Sequence, residues 1–309
     1  MRNAFAAAIT DLAARDERIV LLSGDIGNRL FDTFRERFPD RFYNCGVAEA
    51  NMTGMAAGLA LSGLRPFTYT ITPFATTRVI EQIRVDICYH DVPVTIVGTG
   101  SGLSYASLGP THHSCEDVGI LRCFPNLTIL CPADSAEVGP ALGATLSLPG
   151  PAYIRLGKKG EPVVHETPPV FEIGRGIVMC EGTDVCLLGM GTLVSVALEA
   201  AKILAERGLS AKVVSMHTVK PLDETLLADA FGRFKAVAVV EEHSVIGGLG
   251  SAVAEWLARR DGVHPPLVAC GTPDAFISEA GSQQWMRERC GLTGPAVAAK
   301  ILARLGNAP

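Results

Sequence analysis

Short apolar runs alternate along this chain with segments of helical periodicity, and this alternation most constrains its fold. The apolar runs are continuous, which is typical of strands that a parallel sheet buries on both faces. The intervening segments are long enough to be the helices that connect such strands. In the N-terminal part we expect strands at residues 18–23, 67–72, 92–98, 127–130 and 152–156, and helices at residues 49–61, 74–89 and 135–146. The pattern predicts an α/β fold in which a mostly parallel sheet is flanked by helices.

A charged and proline-rich segment interrupts this pattern near the middle of the chain. Residues 158–182 show no periodicity, so we interpret them as a linker. A second series then begins, with strands expected at residues 184–188, 211–216 and 236–240 and helices at residues 193–207 and 250–259. The sequence therefore predicts two α/β domains, one at residues 1–170 and the other at residues 171–309.

The composition excludes several classes of function. The 309 residues carry a formal net charge of −5, which argues against a nucleic-acid or membrane-surface partner. The apolar runs are too short to span a bilayer, and the chain starts with an amphipathic helix instead of a signal peptide. The nine cysteines include no Cys-x-x-Cys pair, and Cys88, Cys186 and Cys270 lie in apolar runs. We therefore expect buried thiols in a reducing compartment, as in a cytoplasmic protein.

Glu49 is the strongest candidate for a catalytic side chain. It follows a strand-like run and Gly46, and it stands in the first turn of the expected helix 49–61. Such strand-to-helix junctions are where open α/β sheets bind their ligands. An isolated acid at this position usually only complements the helix dipole. A carboxyl group among small and apolar neighbours, however, can also share a proton with a ring nitrogen of a ligand.

A long glycine-rich loop follows the expected strand 92–98 and ends in the adjacent residues His112 and His113. The loop fits neither the dinucleotide-binding glycine pattern nor the P-loop pattern. Adjacent residues point in different directions on any regular element, which disfavours a metal site made by the two histidines. Because the loop follows the carboxyl end of a strand, we expect a histidine that hydrogen-bonds a substrate oxygen.

Four segments, taken in order, resemble the C-terminal half of transketolase. They are GVAE at residues 46–49, GPTH at residues 109–112, FPNL at residues 124–127 with CPAD at residues 131–134, and VKPLD at residues 219–223. The resemblance covers nearly the whole chain, and this colinearity is more specific than any single motif. It implies the pyrimidine-binding domain and the C-terminal domain of an enzyme that uses thiamine diphosphate.

The resemblance implies cofactor contacts for three residues. Glu49 would hydrogen-bond N1′ of the aminopyrimidine ring of thiamine diphosphate and share a proton with it. Phe74 would stack on that ring. Tyr69 is the alternative stacking residue, because the alignment between residues 67 and 78 has more than one register.

The resemblance also implies contacts to a sugar or sugar-phosphate substrate. His112 would contact hydroxyl or carbonyl oxygens of the donor sugar, and Lys158 and Arg2 stand near positions where the family binds phosphate. Two positions depart from the family: Leu108 stands where an acid is common, and Gly100 stands where a histidine is common. Both departures remove polar contacts to a sugar, so pentose- and hexose-phosphate specificity is not implied.

The chain lacks the Gly-Asp-Gly segment, followed at a distance by Asn, that holds Mg²⁺ and the diphosphate in this family. Residues 24–28 are the nearest candidate, but the second glycine and the spacing are missing. We therefore expect a separate N-terminal transketolase subunit to hold most of the Mg²⁺ site. The small-residue face of helix 49–61 suits self-association about a two-fold axis, which predicts a two-plus-two heterotetramer.

The leading interpretation is the C-terminal subunit of a split transketolase in carbohydrate metabolism, which transfers a two-carbon ketol unit from a ketose to an aldose. One alternative is an enzyme like deoxyxylulose-phosphate synthase, although that family is normally a single long chain. Another is a 2-oxoacid dehydrogenase beta subunit, which should lack the motif at residues 109–112. A non-catalytic regulatory subunit is disfavoured because Glu49 and the aromatic helix start are retained.

Overall fold

The computed structural model describes residues 1–27 and 29–306 of the chain. Residue 28, the last of the 24–28 segment considered above, and residues 307–309 lie outside the described part. No helix among the described residues is long and apolar enough to cross a membrane. Cys88, Cys186 and Cys270 are buried, as expected from their apolar surroundings.

The strands form two separate sheets. In the described part of the chain they are β1 (Ile19–Ser23), β2 (Phe42–Asn44), β3 (Arg65–Ile71), β4 (Thr95–Thr99), β5 (Thr128–Leu130), β6 (Ala152–Leu156), β7 (Ile177–Cys180), β8 (Val185–Gly189), β9 (Ala211–Ser215), β10 (Thr218–Lys220), β11 (Ala236–Ser244) and β12 (Leu267–Thr272). The first sheet has the order β10-β5-β6-β4-β3-β1-β2, and the second has the order β12-β11-β8-β9-β7. Only β10 and β7, each at an edge, pair antiparallel with a neighbour. The predicted fold of two mostly parallel sheets is confirmed.

Helices cover both sheets. Those described are α1 (Arg2–Ala13), α2 (Asp32–Arg37), α3 (Glu49–Leu61), α4 (Thr72–Ala75), α5 (Ile80–Gln82), α6 (Asp117–Arg122), α7 (Ser135–Thr145), α8 (Val194–Glu206), α9 (Glu224–Arg233), α10 (Leu249–Leu257), α11 (Gln283–Arg289) and α12 (Gly294–Arg304). Every residue of β1, β4 and β6 is buried, because helices occupy both faces of the sheet.

The register of the first sheet brings several strand ends to one edge. Ile71 at the end of β3 pairs with Thr99 at the end of β4, and Thr99 also pairs with Leu156 at the end of β6. The segments that follow these strands therefore start side by side. They carry Phe74, the glycine-rich loop 100–112 and Lys158, so the parallel topology alone gathers the candidate site residues at this edge.

The segment expected as one helix over residues 74–89 is interrupted. A short α4 is followed by a 3₁₀ turn at Thr77–Val79, by α5, and by a π-helix at Ile83–Tyr89. Thr76 leaves the helical region, with φ −127° and ψ −81°, and its hydroxyl donates to the carbonyl of Thr72 over 2.7 Å. The departure of the backbone at Thr76 divides the segment, so the expectation of one continuous helix is not met.

The two halves of the chain are closely joined. β10 belongs to the second half in sequence, yet it pairs with β5 of the first sheet, and the amide of Cys131 donates to the carbonyl of His217 over 2.6 Å. One apolar cluster contains buried side chains from both sheets. In the linker, the amides of Val164 and His165 donate to the Asp134 carboxylate over 2.7 and 3.0 Å. The linker is thus hydrogen-bonded to the start of α7.

Candidate active site

Glu49 is the first residue of α3, and its side chain is only 3% exposed. The turn before it places Gly46 at φ +69°, a conformation that glycine adopts without strain. The amide of Gly46 donates to the Asn44 side-chain oxygen over 3.0 Å. Beneath the carboxylate, a Cβ built on Gly24 would lie 3.6 Å from Cγ of Glu49. The strand-to-helix junction therefore packs this carboxylate against the end of β1.

Arg78 connects Glu49 with Phe74. Its Nη1 donates to Oε2 of Glu49 over 3.0 Å, and its guanidinium carbon lies 4.2 Å from the centre of the Phe74 ring. The contact combines a charge-assisted hydrogen bond with a cation–π interaction. Among the described residues, no group donates a hydrogen bond to Oε1 of Glu49. Our sequence analysis missed Arg78, although its position four residues after Phe74 was a signal that the two side chains could meet.

The imidazole ring of His112 also contacts the Phe74 ring. The two rings meet edge to face, with centres 5.4 Å apart and planes at 72°. The amide of His112 donates to the carbonyl of Gly109 over 3.0 Å, and its Nδ1 lies 3.0 Å from the Thr111 hydroxyl. Gly109 has φ +76°, so the turn that presents His112 suits glycine at this position.

His113 is directed elsewhere. It is buried, and its Nε2 has no hydrogen-bond partner in the described part of the chain. Burial lowers the pKa of its imidazole, because the charged form loses hydration. Within residues 1–27 and 29–306, no group of three or more His, Cys, Asp or Glu side chains is arranged to hold a metal ion.

Tyr105 lies against Lys158, one of the two candidate phosphate-binding cations. Its ring centre lies 6.1 Å from that of His112 and 4.2 Å from Nζ of Lys158. Burial raises the pKa of Tyr105, and the charge of Arg2 acts in the opposite direction. The buried Nε of Arg2 has no hydrogen-bond partner among the described residues.

Tyr105 was also missed by our sequence analysis, although an aromatic residue within a glycine-rich loop is a usable signal. Its ring fills the space that a side chain at position 100 would need. A Cβ built on Gly100 would lie 2.0 Å from the Tyr105 ring, and Gly100 has φ +72°. Glycine at position 100, where a histidine is common in the family, therefore leaves the space that the Tyr105 ring occupies.

Tyr69, which we expected as the alternative stacking residue, does not line the site. Its side chain is 0% exposed, stacked on Phe5 at 5.1 Å and edge-on to Phe31 at 5.0 Å. Because β3 is buried on both faces, Tyr69 points into the core and has no free face for a cofactor ring. The structure thus leaves Tyr69 outside the site.

The remaining groups form one continuous row of contacts. In order along the row they are Glu49, Arg78, Phe74, His112, Tyr105 and Lys158. A ligand lying along this row would meet a carboxylate and an aromatic face at one end and cations at the other. The arrangement suits a polar ring, then sugar oxygens, then an anionic group.

Comparison with known proteins identifies the family. The transketolase pyrimidine-binding domain matches residues 1–161, and the transketolase C-terminal domain matches residues 174–297. The chain belongs to the transketolase family. The predicted resemblance to the C-terminal half of transketolase is confirmed, and the order of the two domains agrees with the two observed sheets.

Two relatives in this family are separate chains of similar length. A protein of Methanocaldococcus jannaschii, provisionally named a transketolase C-terminal section, is 35% identical over 308 residues, covering 99% of this chain and 96% of the relative. The 6-deoxy-6-sulfo-D-fructose transketolase subunit SqwH of Clostridium sp. is 38% identical, covering 96% of this chain and 92% of the relative.

A solved structure shows the same architecture. It is described as a split-gene transketolase in an inactive beta4 tetramer, and it matches with a TM-score of 0.89 and 38% identity over 100% of this chain and 98% of that chain. A 1-deoxy-D-xylulose-5-phosphate synthase of Thermomicrobium roseum is 36% identical, covering 99% of this chain but only 49% of the relative. The transketolase relatives therefore match in length, whereas the synthase is about twice as long.

Proposed function

We propose that this chain is the C-terminal subunit of a two-chain transketolase that transfers a two-carbon ketol unit from a ketose to an aldose. The observation that carries the proposal is the buried Glu49 carboxylate, which Arg78 links to the Phe74 ring at the sheet edge where the His112 loop begins. The separate-chain relatives and the split-gene structure support the division into two subunits.

The residues present fit the aminopyrimidine end of thiamine diphosphate. Glu49 has an oxygen that receives no hydrogen bond from any described residue, and Arg78 links it to the Phe74 ring, on which a cofactor ring could stack. Glu49 would hold a shared proton at N1′, and Phe74 would orient the ring. When bound, the cofactor supplies a nucleophilic thiazolium carbon. The guanidinium of Arg78 now lies between Glu49 and Phe74, so it would move aside.

The substrate groups would lie further along the row of contacts. We propose that His112 donates to or accepts from donor sugar oxygens, and that Lys158 and Arg2 bind a terminal phosphate or a comparable anion. The support is that Tyr105 lies close to His112 and Lys158, and that the buried Nε of Arg2 has no hydrogen-bond partner among the described residues. Two cations favour an anionic group because each relieves part of its desolvation cost.

We propose that Mg²⁺ and the diphosphate are held mainly by a separate N-terminal subunit, and that this chain also pairs with itself in a two-plus-two complex. Met52 of α3 is buried in the core of this chain, so it is not part of such an interface. The outer face of α3 carries Gly58 and the 63% exposed Leu61, and these remain available for contact with a second copy.

We also propose a domain boundary near residue 170, within a linker at residues 158–182. The ranges of the two matching domains, which leave residues 162–173 between them, support this position. β10 is then a strand that the second domain contributes to the first sheet.

Calorimetry with thiamine diphosphate and Mg²⁺ tests the subunit arrangement. The purified chain should bind the cofactor poorly, and its mixture with the N-terminal subunit should bind tightly and become active. Tight Mg²⁺-dependent binding by this chain alone would contradict the split site. Solution mass of the mixture tests the stoichiometry, and a fully active one-plus-one species would exclude the two-plus-two complex.

The synthase relative provides a second candidate function because it matches 99% of this chain. The two activities differ in the donor. The reconstituted pair should transfer a two-carbon unit from a ketose to an aldose. Formation of 1-deoxy-D-xylulose 5-phosphate, without such a transfer, would favour the synthase.

A further inference from the structure

Glu242 joins the second domain to the loop that carries His112. It lies in β11, and its side chain is only 2% exposed. Its Oε1 accepts hydrogen bonds from the amide of Leu103 over 2.7 Å and from Nε2 of Gln283 over 2.8 Å. Its Oε2 forms an ion pair with Nε of Arg287 in α11. One buried carboxylate therefore connects the loop with β11, which carries it, and with α11, which carries Gln283 and Arg287.

The loop backbone comes so close to Glu242 that a side chain at position 102 would collide with the carboxylate. Gly102 has φ +59°, and a Cβ built on it would lie 2.6 Å from Oε1 of Glu242. Gly102 and Ser114 exchange two backbone hydrogen bonds of 2.9 Å each. The loop is thus closed at its base, and the closed base is in contact with the carboxylate.

An apolar contact supports the same region. Leu103 and Ala106 are buried against Met286 of α11. Tyr105 lies between these two loop residues in sequence, and it contacts His112 and Lys158 in the candidate site. A displacement of Leu103 would therefore displace Tyr105 as well.

We infer that Glu242 is a positioning residue for the transferase reaction, which holds the loop so that Tyr105 and His112 stay aligned with Phe74. The inference rests on the proposed function, because it assigns these loop residues to substrate. Glu242 touches none of Glu49, Phe74 or His112, so it acts through the backbone of Leu103. The ion pair with Arg287 offsets part of the cost of burying this carboxylate, so that it can remain in place as the acceptor of the Leu103 amide.

Two variants test the contact from opposite sides. Glu242→Ala removes the acceptor, whereas Gly102→Ala keeps the carboxylate but places a methyl group against it, which forces the loop and Glu242 apart. Glu279→Ala is the matched control. It removes an exposed ion pair with Arg289 of α11 and does not touch the loop. Amide hydrogen exchange over residues 100–113 of the chain is the first readout. Kinetics of the reconstituted pair, with D-xylulose 5-phosphate as the ketose probe, is the second.

We expect faster exchange of residues 100–113 in both variants and a fall in kcat/KM of about 10²-fold, the cost of a small misplacement of reacting groups. Affinity for thiamine diphosphate should stay unchanged, because Glu49 and Phe74 lie outside the loop. The Glu279→Ala control should behave like the unmodified chain in all three measurements.

Unchanged exchange, or faster exchange with unchanged kcat/KM, would overturn the inference. So would an equal loss of cofactor affinity, which would mean that Glu242 supports the fold as a whole. If Glu242→Ala does not fold, Gly102→Ala decides alone. The Glu49→Gln variant tests the proposed function separately from the role of Glu242. If this variant kept its activity, the proposed function itself would be contradicted.

Discussion

Arg78 donates a hydrogen bond from Nη1 to Oε2 of Glu49 over 3.0 Å, and this ion pair accounts for a carboxylate that is 97% buried at the start of α3. A buried carboxylate without a partner is costly, so the arginine stabilises the chain before any ligand is present. The same guanidinium lies 4.2 Å from the centre of the Phe74 ring. The pair therefore links the stability of the free chain to the site proposed for the cofactor.

Replacement of Arg78 tests this link. Arg78→Met should lower the free energy of unfolding of the free chain by about 1 kcal/mol, the low end for a bond to a buried charge, because the arginine is half exposed. Urea unfolding measures the change. Arg84→Met, at an exposed arginine further along the same segment, is the control and should have a smaller effect. Equal losses in the two variants would contradict a specific role for the Arg78–Glu49 pair.

Replacement of Glu49 tests the proposed proton sharing. Glu49→Gln is nearly isosteric but cannot share a proton with a ring nitrogen as a carboxyl does. We expect kcat of the reconstituted pair to fall by about 10²–10⁴-fold, the range for general acid–base groups. The fold should persist, as judged by circular dichroism, and Glu81→Gln at an exposed acid of α5 should retain full activity. Near-normal turnover by Glu49→Gln would remove Glu49 from the mechanism.

Replacement of His112 tests the substrate end. His112→Ala should reduce kcat/KM for the ketose by the equivalent of about 1–3 kcal/mol, because a polar sugar group would lose its partner in a largely enclosed site. The dissociation constant of thiamine diphosphate should not change. His90→Ala, at an exposed histidine, is the control. A collapse of cofactor affinity with normal ketose kinetics would show that His112 is misplaced.

The pH dependence of stability tests a buried acid of the second domain. Burial raises the pKa of Glu241 from 4.5 to about 7, although the amides of Gly250 and Leu249 act in the opposite direction. The folded chain thus holds this proton more tightly than the unfolded chain. The stability that Glu241 contributes is complete below pH 4.5 and is lost as the pH rises through about 7.

Glu241→Gln should remove this dependence. Relative to the unmodified chain, the variant should gain about 3 kcal/mol of unfolding free energy between the low and the high end of that pH range. Urea unfolding at several pH values measures the difference. Parallel pH profiles for the two proteins would show that the Glu241 proton is not held by the fold.

Local sequence patterns predicted several elements well. The helix expected at residues 49–61 and the strand expected at residues 152–156 coincide with α3 and β6. The segment 74–89 was predicted poorly because the backbone leaves the helical region at Thr76. Hydrophobic periodicity does not register such a local interruption.

The candidate site, like the secondary structure, was predicted only in part from the sequence. Glu49, Phe74 and His112 were selected from motifs, and the structure places Phe74 near both of the others through Arg78 and a direct ring contact. Their roles stay predictions. Tyr69 lies outside the site because β3 is buried on both faces, and its ring packs against Phe5 and Phe31.

The sequence by itself determined the two α/β domains, their order and the family, because these depend on apolar periodicity and on colinear motifs. Only the tertiary structure decided the partners of those motifs. The pairing of Arg78 with Glu49, the position of Tyr105 over the space at Gly100, and the reach of Glu242 to the amide of Leu103 all depend on side-chain directions. Glu242 and Leu103 are 139 residues apart in sequence. No local pattern encodes such a contact, since it exists only when the loop after β4 packs against β11 and α11 of the second domain.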